Sequence, residues 1–121
     1  MRVLFVSLSF LSLCLGPLAA EEVVPGGRDL YLKNCQICHG ENGLGDGPGG
    51  VNLNPPPRNF TQRPYKFGCG PGPVFRTISN GIEGTAMPAF GNVLTESERQ
   101  QLAQYIFSLG RKGGCNCGAK P

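Results

Sequence analysis

Cys35-Gln36-Ile37-Cys38-His39 is the stretch that decides the fold of this chain of 121 residues, and His39 is its only histidine. A Cys-x-x-Cys-His run is the attachment signature of covalently held haem. The two thiols add across the porphyrin vinyl groups, and the histidine that follows ligates the iron from the proximal side. Cys35 and Cys38 are therefore read as covalent anchors and His39 as an axial ligand. No second histidine competes for that role.

A six-coordinate haem takes a second axial ligand, conventionally histidine or methionine. The methionines are Met1 and Met87, and Met1 belongs to a segment with the character of an export signal. Met87 is thus the one conventional candidate. It sits in Gly84-Thr85-Ala86-Met87-Pro88-Ala89-Phe90, a loop of small residues where backbone can approach a porphyrin closely. A thioether is a soft, neutral donor that favours the ferrous state and raises the reduction potential. The competing role for an isolated methionine is core filler.

Residues 1–20 read as a cleaved signal peptide. Arg2 supplies a positive start, Val3 to Leu15 is almost wholly apolar, and Leu18-Ala19-Ala20 ends in small residues. An uncleaved anchor is the alternative, but the apolar run falls short of the ~20 residues a spanning helix needs. Acylation at Cys14 is a weaker alternative still, because Leu13 stands where lipoprotein signals have a small residue. The mature domain is expected over residues 21–110, followed by a Gly/Cys-rich tail over 111–121. Loss of Arg2 leaves ten basic and eight acidic side chains, a balance that two haem propionates bring near zero. No basic patch points to nucleic acid, and no later apolar segment points to stable membrane insertion.

A domain of this size buries a thin core, and 19 glycines and 11 prolines make much of it loop. A flat cofactor wrapped by loops supplies the missing core. The regular elements are expected to be few. Pro25 to Asn34 reads as a short helix running into the haem motif, and Pro73 to Asn80 as a second helix stopped by Gly81. Gly40 to Pro57 and Gly84 to Gly91 read as loops. Thr95-Glu96-Ser97-Glu98 is a capping box. It opens a last helix whose Leu102, Tyr105, Ile106 and Leu109 form one apolar stripe, with Gly110 ending it.

The chain resembles a class I cytochrome c over nearly all of residues 26–110. Gly27, Tyr31 and Cys35 keep the family's first-helix intervals. Leu102 and Tyr105 match the last-helix pair that packs against that glycine and aromatic. Met87-Pro88 matches the loop that carries the methionine ligand. Cys-His-Gly-Glu-Asn-Gly-Leu-Gly-Asp-Gly-Pro, Pro56-Pro57-Arg58-Asn59-Phe60 and Asn80-Gly81-Ile82-Glu83-Gly84-Thr85 are similar to the bacterial branch.

The resemblance implies an all-α cytochrome c-like fold: three to four short helices and Gly/Pro-rich loops wrapped around one covalently bound haem c. It also implies that a proline carbonyl, here Pro48, accepts the proton on the far nitrogen of His39. Such a bond orients the imidazole and strengthens it as a donor. Arg58 is implied to pair with a haem propionate, the alternative being an exposed charge on a loop.

Cys69, Cys115 and Cys117 depart from a simple domain of this family. Export makes a disulfide from Cys69 to Cys115 or Cys117 chemically reasonable, worth roughly 2–4 kcal/mol when unstrained. An odd count leaves one thiol over for a disulfide-linked dimer or a partner. Free thiols throughout are the alternative.

The leading functional expectation is a periplasmic one-electron carrier between redox proteins, with low-spin His39/Met87 ligation. It is not expected to be an enzyme in its own right, although it could be the electron-transfer subunit of one. A haem protein with a displaceable methionine that binds small ligands or acts as a peroxidase is the first rival. A zinc-stabilised module joining the Cys35/Cys38 pair to Cys115 and Cys117 is the second; it leaves the position of His39 and the Met87 loop unexplained.

Overall fold

The computed structural model describes residues 26–68 and 70–110. These residues form four helices and no strand: α1 Gly27–Asn34, α2 Gln36–His39, α3 Pro71–Asn80 and α4 Glu96–Leu109. The all-α architecture that the family resemblance implies is what is found among the described residues. Pro25, the signal segment, Cys69 and the tail with Cys115 and Cys117 lie outside the described residues. So do the expected disulfide and the four-thiolate alternative.

Helix boundaries differ from expectation for local reasons. The first helix starts at Gly27, because Gly26 holds extended backbone as its N-cap. It does not run on through the haem motif: Cys35, at φ −120°, interrupts it, and residues 36–39 make a separate turn. The middle helix begins at Pro71 rather than Pro73. A proline fits the first turn, where amide hydrogens have no helical acceptor. Gly81 stops α3 at φ 66°, its N–H bonding back to the Thr77 carbonyl. Helix α4 opens on the full reciprocal capping box of Thr95 and Glu98.

Helix α1 crosses α4 at Gly27. A β-carbon there would lie 2.8 Å from Tyr105 Cβ and would collide with the Gln101 carbonyl oxygen. Glycine is therefore a condition of the crossing. One helical turn on, Tyr31 is completely buried, and its ring meets that of Tyr105 at 5.3 Å between centroids. Leu102 is equally buried. The crossing that the resemblance implied for Gly27, Tyr31, Leu102 and Tyr105 is the one present. Helix α3 packs on the other side of α4, with Ile78 in the core and the Arg99 guanidinium over the Phe75 ring at 5.1 Å.

The fully buried apolar set is small: Leu30, Tyr31, Cys35, Ile78, Leu102, Ala103 and Ile106. A ring of half-buried apolar side chains, among them Phe60, Val74 and Phe90, packs against it and faces the cavity described next. Among the described residues no helix is long and apolar enough to cross a membrane.

Candidate haem site

A four-residue helix cannot satisfy its own carbonyls. The glycine-rich loop after α2 does so instead. Gly45, Gly47 and Gly49 donate their amide hydrogens to the carbonyls of His39, Cys38 and Ile37, at 2.8, 3.1 and 2.7 Å. The approach is backbone against backbone: a β-carbon on Gly47 would stand 2.5 Å from the carbonyl oxygens of both Gln36 and Ile37. Tyr31 adds a buried hydrogen bond from α1, its hydroxyl donating to the Gly40 carbonyl at 2.6 Å. The segment carrying both cysteines and the histidine is thereby fixed by loop amides on one side and α1 on the other.

Cys35, Cys38 and His39 open onto a cavity of about 560 Å³, within the range of small-molecule and cofactor sites. Its walls come from every part of the fold: Pro55, Pro56, Pro57 and Phe60 from the loop before α3; Val74 and Ile78 from α3; Ile82 and Met87 from the loop after it; Ile106 from α4. Of the residues singled out in the sequence, Cys35, Cys38, His39, Met87 and Arg58 all line this one cavity. The donor set suits haem: two thiols adjacent to an imidazole, and a thioether from a distant loop, in a largely apolar enclosure. Among the described residues no group of three or more His, Cys, Asp and Glu side chains is arranged to hold a bare metal ion.

His39 is held as a neutral imidazole. Burial draws its pKa below the usual histidine value, against the opposing effect of a hydrogen bond to the Arg58 carbonyl. His39 Nδ1 stands 3.2 Å from that oxygen. A carbonyl only accepts, so Nδ1 carries the proton and Nε2 of the neutral ring keeps its lone pair. That is the tautomer a metal ligand needs. The Phe60 ring stacks on the imidazole, 4.4 Å between centroids and 19° from parallel. Burial, with the neighbouring Cys38 adding to it, pushes the Cys35 thiol up to about 12. Before any thioether forms, this burial keeps the Cys35 thiol sheltered and disfavours its thiolate.

The Met87 loop is built on α3's end. Ile82 donates to the Met87 carbonyl at 3.2 Å, and the Met87 amide donates to Thr85 Oγ1 at 3.2 Å. Thr85 Oγ1 donates in turn to the Ile82 carbonyl at 2.7 Å. The small residues flanking Met87 therefore form a hydrogen-bonded turn that lines the cavity with Thr85, Ala86, Met87 and Pro88.

Two expectations change. The far-nitrogen acceptor is the Arg58 carbonyl, not that of Pro48, which is exposed and absent from the cavity lining. The glycines around Pro48 are engaged in capping α2, which directs that stretch to the helix end rather than to the ring nitrogen. The Arg58 guanidinium is itself turned to its own loop, Nη2 donating to the Gln62 and Pro64 carbonyls at 3.1 and 2.7 Å. Phe60 was not anticipated as a contact of His39. Its sequence signal is an aromatic residue set among prolines and polar residues, where a loop has no core of its own to pack into.

With the site described, similarity to known proteins becomes informative. Residues 22–106 match the family model described as cytochrome C oxidase, cbb3-type, subunit III. The chain belongs to that family. The Cbb3-type cytochrome c oxidase subunit FixP of Sinorhizobium medicae is 32% identical over 101 residues, which is 77% of this chain and 32% of the relative. This cbb3-type subunit III family member thus spans about a third of the length of that curated relative.

Two solved structures share its fold. A chain of the Kuenenia stuttgartiensis reducing HAO-like protein complex Kustc0457/Kustc0458 superposes with a TM-score of 0.65 at 36% identity, covering 73% of this chain and 43% of that one. The KustC0563 c-type cytochrome superposes at 0.56 with 25% identity, covering 69% of this chain and 96% of that one. The family member is a c-type cytochrome, and the resemblance to class I cytochromes c is borne out.

Proposed function

We propose that this chain is a one-electron carrier holding a single haem c, bound through Cys35 and Cys38 and ligated by His39 and Met87. The observation that carries the reading is the convergence of those four side chains on one largely apolar cavity. When bound, the haem iron supplies reversible ferric–ferrous exchange, and a histidine–methionine ligand pair favours a raised potential. The protein's part is to hold both ligands still. Capped α2 fixes the segment that carries His39, the Arg58 carbonyl selects its tautomer, the Thr85–Ile82 turn fixes Met87, and the apolar walls limit water. Fixed ligands keep reorganisation small between the two oxidation states.

The reading extends to the whole chain. Residues 1–20 direct export to the periplasm and are removed, 21–110 form the monohaem domain, and 111–121 form the tail. Other redox proteins are the partners, and an oxidase complex is the class to which the relatives' names point. A disulfide from Cys69 to Cys115 or Cys117 leaves one thiol for linkage to a second molecule. Thiol counting on the intact oxidised protein checks this, and three free thiols reject it.

The test of the main reading is optical. The purified protein gives a sharp alpha band on reduction, keeps its colour in denaturant because the haem is covalent, and shows a near-infrared sulfur-to-iron band in the ferric state. Zinc without visible colour overturns it. Rapid carbon monoxide binding by the ferrous protein overturns methionine ligation in favour of a ligand-binding haem protein.

A further inference from the structure

The loop 58–65 touches His39 twice, by the Arg58 carbonyl on Nδ1 and by the Phe60 ring on the imidazole face. It is also closed on itself and tied at both sides. The Arg58 guanidinium spans the loop to the Gln62 and Pro64 carbonyls. Asn59 Oδ1 accepts from the Thr61 amide at 2.9 Å and the Thr61 hydroxyl at 2.7 Å. The Phe60 amide donates to the Gly43 carbonyl at 2.6 Å, joining the loop to the segment that follows His39. At the far end, Tyr65 donates to the Phe60 carbonyl at 2.7 Å and approaches the Ile106 carbonyl at 3.3 Å. Arg63 donates to the Phe107 carbonyl and lies over the Phe107 ring at 3.8 Å.

We infer that Arg58 is a positioning residue for the axial histidine: its guanidinium closes the 58–64 loop and so aims its own main-chain carbonyl at His39 Nδ1. The inference rests on the reading of His39 as an iron ligand. It departs from the propionate role implied by the family resemblance, and the two roles have opposite signs. A hydrogen bond from Nδ1–H gives the imidazole more anionic character and makes it a stronger donor, which favours ferric iron. Loosening the loop weakens that bond and raises the reduction potential. Removing a cation that faces a propionate favours the more positive ferric state and lowers it.

Lysine separates charge from geometry, since it keeps the positive charge but lacks the planar fork that serves two carbonyls at once. The experiment is an optical redox titration of the full-length haem-loaded protein, with electron paramagnetic resonance of the ferric state, on Arg58→Lys, Arg58→Met and Asn59→Ala. The expected result is an upward shift of midpoint potential in Arg58→Lys and Asn59→Ala, with altered g-values and faster amide exchange over 58–64. An Arg58→Lys protein with native potential and g-values overturns the inference, and so does a downward shift. A lowered Arg58→Met potential beside a native Arg58→Lys assigns the residue to charge pairing instead. If Arg58→Lys does not assemble, Asn59→Ala decides alone: a raised potential supports the inference and an unchanged one ends it. Failure of the underlying ligand reading shows separately, as absence of the histidine–methionine spectrum in the unsubstituted protein.

Discussion

Tyr31 donates its phenolic hydrogen to the carbonyl of Gly40, 2.6 Å away, joining the centre of α1 to the residue immediately after His39. Both residues are buried. Burial, with the nearby Cys35 adding to it, raises the tyrosine pKa far above its usual value, so the hydroxyl stays a donor throughout the physiological range. Tyr31→Phe keeps the ring against Tyr105 and Phe60 but leaves the buried Gly40 carbonyl with only the longer bond from the Gly43 amide, at 3.2 Å. The expected cost is about 0.5–1.5 kcal/mol, read as a lower guanidinium midpoint of the haem-loaded protein. An unchanged midpoint shows that water reaches Gly40 and that the bond is not structural.

Gly27→Ala tests the helix crossing. On an exposed helix the change gains up to ~1 kcal/mol from propensity. Here the new methyl meets the Gln101 carbonyl, part of the α4 backbone, which cannot rotate away as a side chain would. Overpacking costs typically 1–3 kcal/mol, so the net effect is destabilising, and Gly27→Val is worse. Thermal unfolding of the two variants beside the native protein gives the order. A Gly27→Ala protein more stable than native shows that α1 and α4 separate readily.

How much of this was legible depends on where each signal resides. The capping box at Thr95 and Glu98 was readable because it is complete within four residues. The crossing at Gly27 was readable only through the family resemblance, whose first- and last-helix intervals Gly27, Tyr31, Leu102 and Tyr105 keep. Cys35, Cys38, His39 and Met87 were readable together by motif and by counting, and what the structure adds is that all four line one cavity. The acceptor for His39 Nδ1 was not. A main-chain carbonyl exists at every position, so Arg58, 19 residues away, has no residue-type signature for that role. The expected start of α3 falls two residues late because Pro71 and Pro73 both suit a first helical turn, and the sequence does not choose between them.

Met87 is tested by substitution at its own position. Met87→His supplies a stronger donor and is expected to keep a low-spin haem while lowering the reduction potential and abolishing the sulfur-to-iron band. Met87→Ala leaves that coordination position without a side chain and is expected to admit carbon monoxide to the ferrous protein within the mixing time. The native protein is expected to resist it. Met87→Ala protein that retains the near-infrared band assigns the sulfur ligand elsewhere.

Acid is expected to weaken the α4 cap through Glu98. Glu98 Oε2 accepts from the Thr95 amide at 2.8 Å and from the Thr95 hydroxyl at 3.0 Å, while the Glu98 amide donates to Thr95 Oγ1 at 3.2 Å. The Thr95 backbone bond first, and its hydroxyl second, hold the Glu98 carboxyl below its ordinary value of 4.5. A carboxyl whose pKa is lower folded than unfolded contributes stability above the unfolded value, and that contribution is lost as pH falls through the folded one. Native stability is therefore expected to decline below about pH 4.5 through this carboxyl. Glu98→Gln lacks this part of the decline, so the gap between native and Glu98→Gln proteins narrows steadily as pH is lowered. Thr95→Ala removes the cap hydroxyl and costs about 1 kcal/mol at neutral pH. Helix α4 carries Leu102 into the core and Ile106 onto the cavity wall, so the loss is expected to register in the haem absorbance as well as in far-ultraviolet circular dichroism. Denaturant titrations of the three proteins at pH 7, 5 and 3.5 supply the comparison, and a gap between native and Glu98→Gln that stays constant with pH rejects the carboxylate's part in the cap.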